Sequence, residues 1–355
     1  MTRFARAVLA WYDREGRHGL PWTSDDPYRV WVSEIMLQQT QVETVKPFFG
    51  RFMARFPTVS ALAAADIGEV LAEWAGLGYY ARARNLHAAA GLILTQHGAR
   101  LPLDVDALQT LPGIGRSTAG AIVALAAGLP APILDANVRR VLARFHALAL
   151  PAGTSALTHL LWEQAQRHLP STRLRDYTQG LMDLGALVCT PRPRCPDCPL
   201  GPECAGRNTP SAYPGPRREP RAVPTIEMRL LILRNAAGEV LLERRPPVGL
   251  WGGLWSLPEC GPDTEAWCEQ HLGLGVTPQA PRAPVRHRLT HRELVITPQP
   301  ALLRAARALM EHAPLIWYKL PTGDERPRSG MAAPVRKLLL DEQQHQGISN
   351  YGADR

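Results

Sequence analysis

Lysine is nearly absent from this chain of 355 residues: Lys46, Lys319 and Lys337 are the only lysines among 40 basic residues, and arginine supplies the rest. Covalent chemistry through a Schiff base needs an amine, and the first half of the chain offers only Lys46. Acidic residues are also outnumbered, 32 against 40, for a net charge of +8. Such a balance makes polyanions plausible partners, although a general preference for arginine would give the same composition. Long apolar runs are missing. The longest, 119–134, is interrupted by Gly120, Gly128, Pro130 and Pro132 and is too short to span a bilayer, so no membrane association is expected. The first fifteen residues carry Arg3, Arg6, Asp13, Arg14 and Glu15 without a long apolar core, unlike a signal peptide. The expected location is cytoplasmic, and nucleoid-associated in a bacterium. In that reducing compartment thiols serve metals better than disulfides.

Cysteine is scarce, six in all, yet Cys189, Cys195, Cys198 and Cys204 fall within sixteen residues. The spacing C-x5-C-x2-C-x5-C contains one C-x2-C pair, whereas structural zinc usually draws on two such pairs or on added histidines. Four thiolates from one short loop suit an iron-sulfur cubane; zinc and disulfides are the alternatives. Pro191, Pro193, Pro196 and Pro199 keep this loop off helix and strand. Cys260 and Cys268 read as ordinary thiols.

Apolar residues recur at helical spacing from Phe4 to about Gly206, as in Val30, Trp31, Ile35, Val42 and Val45, which predicts an all-α domain over 1–206. Five prolines and four arginines make 207–224 an extended linker. Beyond it the period becomes two: Ile226, Met228, Leu230 and Ile232 share a face, Asn235 to Gly238 form a turn, and Val240 and Leu242 return. An α+β domain over 225–345 is expected. There is no internal repeat.

Three places in the helical half could carry chemistry. Leu111-Pro112-Gly113-Ile114-Gly115 separates helical patterns at 105–110 and 116–127. Gly113 and Gly115 leave amides open before a helix N-terminus, where a phosphate is favoured, although an ordinary turn between helices reads the same way. Asp135 precedes the helical pattern 137–145 and is placed as its N-cap; an ionised carboxylate there can also face a developing cation. Glu34 shares a helical face with Trp31 and Gln38 within 28–41. A carboxyl beside an indole is desolvated and suited to donate a proton near neutral pH, though a lone helix glutamate is more often a solvated one.

The strings VWVSEIMLQQTQV from Val30, GLGYYARARN from Gly76, LPGIGRSTAGAI from Leu111, ILDANVRRVL from Ile133, the cysteine loop and GLWGGLW from Gly249 resemble, in order, the MutY family of adenine-DNA glycosylases. The resemblance implies a helix-hairpin-helix glycosylase domain with a 4Fe-4S cluster on Cys189, Cys195, Cys198 and Cys204, joined to a Nudix-like lesion-recognition domain. It implies excision of adenine opposite 8-oxoguanine or guanine in double-stranded DNA. Glu34 then matches the acid that protonates the base, Asp135 the carboxylate that stabilises the sugar cation, and Asn137 a residue holding that site. Gln39 and Tyr79 match wedges into the base stack; Leu20, Trp22, Gln179 and Met182 match the adenine pocket. Leu111, Gly113, Gly115 and Ser117 belong to the phosphate-gripping hairpin, and Thr290 and His291 to the lesion-reading loop. A monomer is expected.

The chain departs from the family in three places. The first cysteine gap is one residue shorter than usual, Asp135-Ala136-Asn137 replaces Asp-Gly-Asn, and Leu289-Thr290-His291 replaces Phe-Ser-His. A glycosylase-lyase of the endonuclease III type would need a lysine where Ser117 stands, so a monofunctional enzyme is expected. Nucleotide hydrolysis by the second domain would need a carboxylate cluster, but the corresponding stretch reads AWCEQHLG from Ala266, too few for a metal.

Overall fold

The computed structural model describes residues 1–216, 223–289, 292–306, 314–320 and 330–351, so Thr290 and His291 lie outside the described residues. The chain forms two compact units, one of 1–65 with 84–220, the other of 66–83 with 221–355. No helix among the described residues is long and apolar enough to cross a membrane.

The first unit is helical. Its early helices are α1 (Arg3–Glu15), α2 (Pro27–Leu37), α3 (Val42–Arg55) and α4 (Val59–Ala64). Thr2 caps α1 by accepting the Ala5 amide at 3.1 Å, and Phe4, Val8, Leu9, Trp11 and Tyr12 form its buried stripe. Asp26 caps α2, which starts on Pro27. The helical pattern around Glu34 ends sooner than its apolar spacing predicts, at Leu37, because Gln39 takes a left-handed backbone (φ 59°) and the Thr40 amide closes a turn on Leu37. In the second unit lies α5 (Ile67–Glu73); α6 (Ala81–His97) starts there and continues in the first.

Helices α7 (Val105–Gln109) and α8 (Arg116–Ile122) flank the Leu111–Gly115 turn, and α8 runs on through a wider π-type turn, Val123–Ala127, that stops at left-handed Gly128. Gly120 on α8 is a point of close approach. A Cβ there would sit 2.4 Å from the Pro132 carbonyl oxygen, so only glycine lets the 132–135 segment lie against this helix. Helices α9 (Ala136–Phe145), α10 (Ser155–His168) and α11 (Leu174–Leu187) complete the unit. Their apolar faces share one core with α1, including Leu142, Leu161, Leu184 and, at its edge, Cys189 and Leu200.

The second unit holds a seven-stranded sheet among the described residues, with path order β3 (Trp255–Ser256), β2 (Val240–Arg244), β1 (Thr225–Arg234), β6 (Glu293–Ala306) and β4 (Leu274–Pro278). Strand β5 (Val285–Arg288) pairs with β6, and β7 (Leu315–Tyr318) with β2. The hairpin read from the period-two pattern is present: β1 and β2 are antiparallel around the Asn235–Gly238 turn. The centre of β1, however, is buried on both faces. Leu231 and Leu233 join Cys268 and Leu272 of α12 (Thr264–Leu272) in one core. On the opposite face Arg234, in phase with Leu230 and Ile232, pairs with the buried Glu342 of α13 (Ala333–Tyr351). Strand β6 runs parallel to β1 despite containing Pro298 and Pro300. Their carbonyls accept the Arg282 and Gln279 amides, so the missing N–H groups face the loop between β4 and β5 and break no bond to β1. On α12, Glu265 is engaged by Arg304.

Candidate active site

Asp135 sits where α9 begins, with Oδ1 accepting the Val138 amide at 2.7 Å. Ala136, the first helical residue, has an ordinary negative φ and an exposed side chain, so alanine in place of the family's glycine carries no backbone strain. Ser117 reaches across from α8 and its hydroxyl accepts the Leu134 amide at 2.9 Å. Together with Gly120 it fixes the residue preceding Asp135.

Glu34 lies one turn after Trp31, which is fully buried. A partly exposed edge remains to Glu34, but burial pushes its carboxyl up to about 8, and the charge of Asp135 adds to the rise. The two carboxylates therefore share one electrostatic environment. Asp135 is itself raised by burial, opposed by the Val138 amide, Arg140, the Asn137 amide and Arg139. With a helix N-terminus and two guanidiniums on its side, it is the member of the pair that ionises first. Asn137 turns its side-chain oxygen to Arg140 Nη2 at 2.8 Å while its backbone amide serves Asp135.

Arg140 and Arg144, one turn apart on α9, then reach the cysteine loop. Arg140 Nε donates to the Cys189 carbonyl and Nη2 to the Gly185 carbonyl, both at 2.6 Å. Arg144 donates to Thr190 O at 2.6 Å, Pro210 O at 2.9 Å and Pro191 O at 3.3 Å, and its Nη1 lies 3.4 Å from Cys189 Sγ. Cys189, Cys195, Cys198 and Cys204 line one cavity with Arg144. Among the described residues no three His, Cys, Asp or Glu side chains converge as ligands of a single ion. Burial, aided by the neighbouring cysteines, pushes the Cys198 thiol up to about 11 and raises Cys204, so thiolates would form only against a bound cation. Because Arg144 is buried and satisfies several loop carbonyls, Arg144→Met is expected to cost about 3 kcal/mol or more in urea unfolding; an unchanged value would show that this arginine does not hold the loop.

The remaining sequence candidates divide between surface and core. Gly113 (φ 80°) and Gly115 are exposed at the hairpin, and Gly115 caps α8 without a side-chain acceptor, leaving the leading amides open. Leu111 is buried and anchors the turn. Gln38 Nε2 points to Gly113 O and Thr118 Oγ1, at 3.4 and 3.3 Å. Trp22 and Gln179 line a cavity of about 310 Å³ with Tyr12, Val30, Leu125 and Arg175. Leu20 is buried, and Met182 packs half-buried against the core of α1 and α11. Gln39 and Tyr79, each in the unit that contains it, are exposed and hold left-handed backbones, φ 59° and 50°.

Three contributors escape a reading of the sequence. Asp183 is completely buried and accepts from the Arg17 amide at 2.8 Å, Arg17 Nε at 2.9 Å and Nη2 at 2.6 Å, and Gln179 Nε2 at 2.7 Å. The available signal was a carboxylate among Leu181, Met182 and Leu184 in an apolar helix, but its partner lies 166 residues away. Arg140 and Arg144 read locally as a basic helix face, and nothing in that spacing points to the cysteine loop.

A family model described as HhH-GPD superfamily base excision DNA repair protein matches residues 32–167, and a NUDIX domain model matches 229–341. The adenine DNA glycosylase of Buchnera aphidicola subsp. Baizongia pistaciae is 32% identical over 343 residues, 95% of either chain. That of Homo sapiens is 36% identical over 314 residues, covering 73% of this chain and 57% of the human one. Among solved structures, a thermostable thymine-DNA glycosylase aligns with TM-score 0.52 at 28% identity, over 58% of this chain and 95% of its own. Endonuclease III in a non-covalent DNA complex shares the helical fold, with TM-score 0.50 at 21% identity, over 59% of this chain and 97% of its own. A relative matched along nearly its whole length and both family models in the expected order lead to one assignment: the chain belongs to the adenine DNA glycosylase family of base-excision repair enzymes.

Proposed function

We propose that this chain, acting as a monomer on double-stranded DNA, hydrolyses the N-glycosidic bond of adenine mispaired with 8-oxoguanine or guanine, with Glu34 as acid and Asp135 as anion. The observation that carries this reading is the Glu34 carboxyl, held near 8 by burial and by Asp135. Protonated at neutral pH, Glu34 gives its proton to adenine N7. The C1′–N9 bond then breaks with its electrons passing into the base, and Asp135 faces the positive sugar until water adds at C1′. Asn137 and Ser117 hold Asp135 in place. The flipped adenine occupies the cavity beside Trp22 and Gln179, while Gln39 and Tyr79 fill or wedge the stack it leaves. Gly113 and Gly115 grip the backbone without reading sequence.

Asp183 supplies specificity at one remove. An ionised carboxylate only accepts hydrogen bonds, so Gln179 must turn its nitrogen to Asp183 and leave its oxygen to accept from the 6-amino group of adenine. Asp183→Asn is expected to shrink the preference for adenine over 6-unsubstituted purine about tenfold, read as the ratio of their single-turnover release rates; an unchanged ratio would remove Gln179 from recognition.

Cys189, Cys195, Cys198 and Cys204 suit a 4Fe-4S cluster, since four thiols from one short loop line a common cavity. When bound, such a cluster would neutralise the thiolates and order the loop bearing Arg192 and Arg194 against phosphate. With Ser117 in place of an amine, the product remains an intact abasic strand. The test is to incubate the protein with duplexes containing A:8-oxoguanine, A:G or thymine glycol and identify the freed base. Adenine from the first two, with strand scission only after alkali, is the expected result. Release of thymine glycol, or scission without alkali, would reject it.

A further inference from the structure

The turn that carries Tyr79 is built into the second compact unit, among residues 66–83 and 221–355. Three of its four residues from Gly76 are left-handed: Gly76 at φ 111°, Gly78 at 71° and Tyr79 at 50°. Tyr79 projects from this turn with 46% of its surface exposed. A non-glycine residue persists in that conformation only where its surroundings over-determine it.

Two sets of contacts do so here. Locally, Trp74 Nε1 donates to Gly78 O at 3.1 Å, and Arg82 Nη2 donates to Leu77 O at 3.2 Å and Gly78 O at 3.1 Å. The Arg82 guanidinium also lies 5.5 Å from the Tyr79 ring centroid and 5.3 Å from that of Trp74. The second set comes from far along the chain. Tyr80, the very next residue, donates its hydroxyl to the Met331 carbonyl at 3.0 Å across 251 positions. Met331 is bridged to Trp255 of β3, whose amide donates to Gly330 O at 2.9 Å. Gly330 in turn lies so near Leu71 of α5 that an added Cβ would meet its backbone at 3.0 Å. The edge of the sheet thus holds the Tyr79 turn through the Tyr80 hydroxyl and packs, at Gly330, on the α5 helix that leads into it.

We propose that Tyr80 is a positioning residue for base-pair interrogation: by tying the Tyr79 turn to Met331, it lets the sheet-bearing unit set the pose in which Tyr79 enters the DNA stack. The inference rests on Tyr79 acting as a wedge. It assigns the sheet-bearing unit a second contribution to mispair recognition, made through a side chain that the sequence groups with the helical half.

The test uses the full chain as wild type, Tyr79→Ala, Tyr80→Phe and the double variant, on a duplex with A:8-oxoguanine and 2-aminopurine beside the 8-oxoguanine. Phenylalanine keeps the ring of Tyr80 and removes only the hydroxyl. The hydroxyl also accepts from the Gly76 amide within the same turn, so Tyr80→Phe is expected to raise the half-saturating duplex concentration about fivefold or more, the value of one or two hydrogen bonds, with a smaller change in rate at saturation. The 2-aminopurine fluorescence rise on binding should weaken in parallel. The double variant should be no worse than Tyr79→Ala, because Tyr80 acts through Tyr79. If Tyr80→Phe matches wild type while Tyr79→Ala is defective, or if the two defects multiply, the positioning role is overturned and the wedge reading stands. If Tyr79→Ala itself matches wild type, the wedge reading fails and this inference falls with it.

Discussion

Replacing Glu34 by glutamine is expected to slow adenine release by roughly a thousandfold or more, the usual value of a positioned general acid, and to erase the alkaline limb of the pH profile. The sign follows from the direction of the shift. Burial and the Asp135 charge raise the Glu34 carboxyl to about 8, so the proton-bearing form predominates at neutral pH and is lost as pH rises through that value. Wild-type single-turnover rates should therefore fall about tenfold per pH unit above about 8, while the small residual rate of Glu34→Gln should not follow that fall. Stability should move with it. A carboxyl raised on folding contributes stability that is fully present below its unfolded value of 4.5 and is lost as pH rises through about 8. Glutamine cannot ionise, so the variant should gain on wild type in Tm between pH 6 and pH 9. A wild-type limb placed near 4.5, or a limb that survives the substitution, would assign the proton to another group.

Asp135→Asn should separate catalysis from folding and binding. Asparagine is as good an N-cap as aspartate, so the bond to the Val138 amide has a replacement and α9 keeps its start. Removing a buried charge also removes a desolvation cost, and Tm should not fall. The developing sugar cation, however, loses the carboxylate placed to face it, and single-turnover excision should drop by roughly 100- to 1,000-fold or more. Affinity for an A:8-oxoguanine duplex should change by less than about threefold, since the hairpin and wedge contacts are untouched. The same substitution takes away one cause of the Glu34 shift, so the alkaline limb of the remaining activity should move to lower pH while staying above 4.5, burial being the larger cause. Excision at the wild-type rate, or a loss of binding equal to the loss of rate, would refute the role given to Asp135.

What was legible in the sequence had a local cause. Helical spacing in the first 200 residues, the period-two stretch around Leu230, the cap at Asp135 and the packing of four thiols into one short loop are all properties of neighbouring residues, and they reappear in the structure. Where a local pattern was interrupted by geometry, the reading overran. The helix of Glu34 stops at Leu37, the one after the hairpin widens at Val123, and the centre of β1 is covered on both faces.

The elements, the motifs that mark the family, the near absence of lysine and the placing of Asp135 as a helix cap were determined by the sequence alone, because each is written in residue type and short spacing. Only the tertiary structure decided that Asp135 raises Glu34, that Arg140 and Arg144 join the helix of Asp135 to the cysteine loop, that Arg17 pairs with the buried Asp183, and that residues 66–83 join the sheet-bearing unit. These depend on burial and on contacts between residues tens to hundreds of positions apart. No local period encodes such separations, and an ionisable group is retuned only after the chain has closed around it.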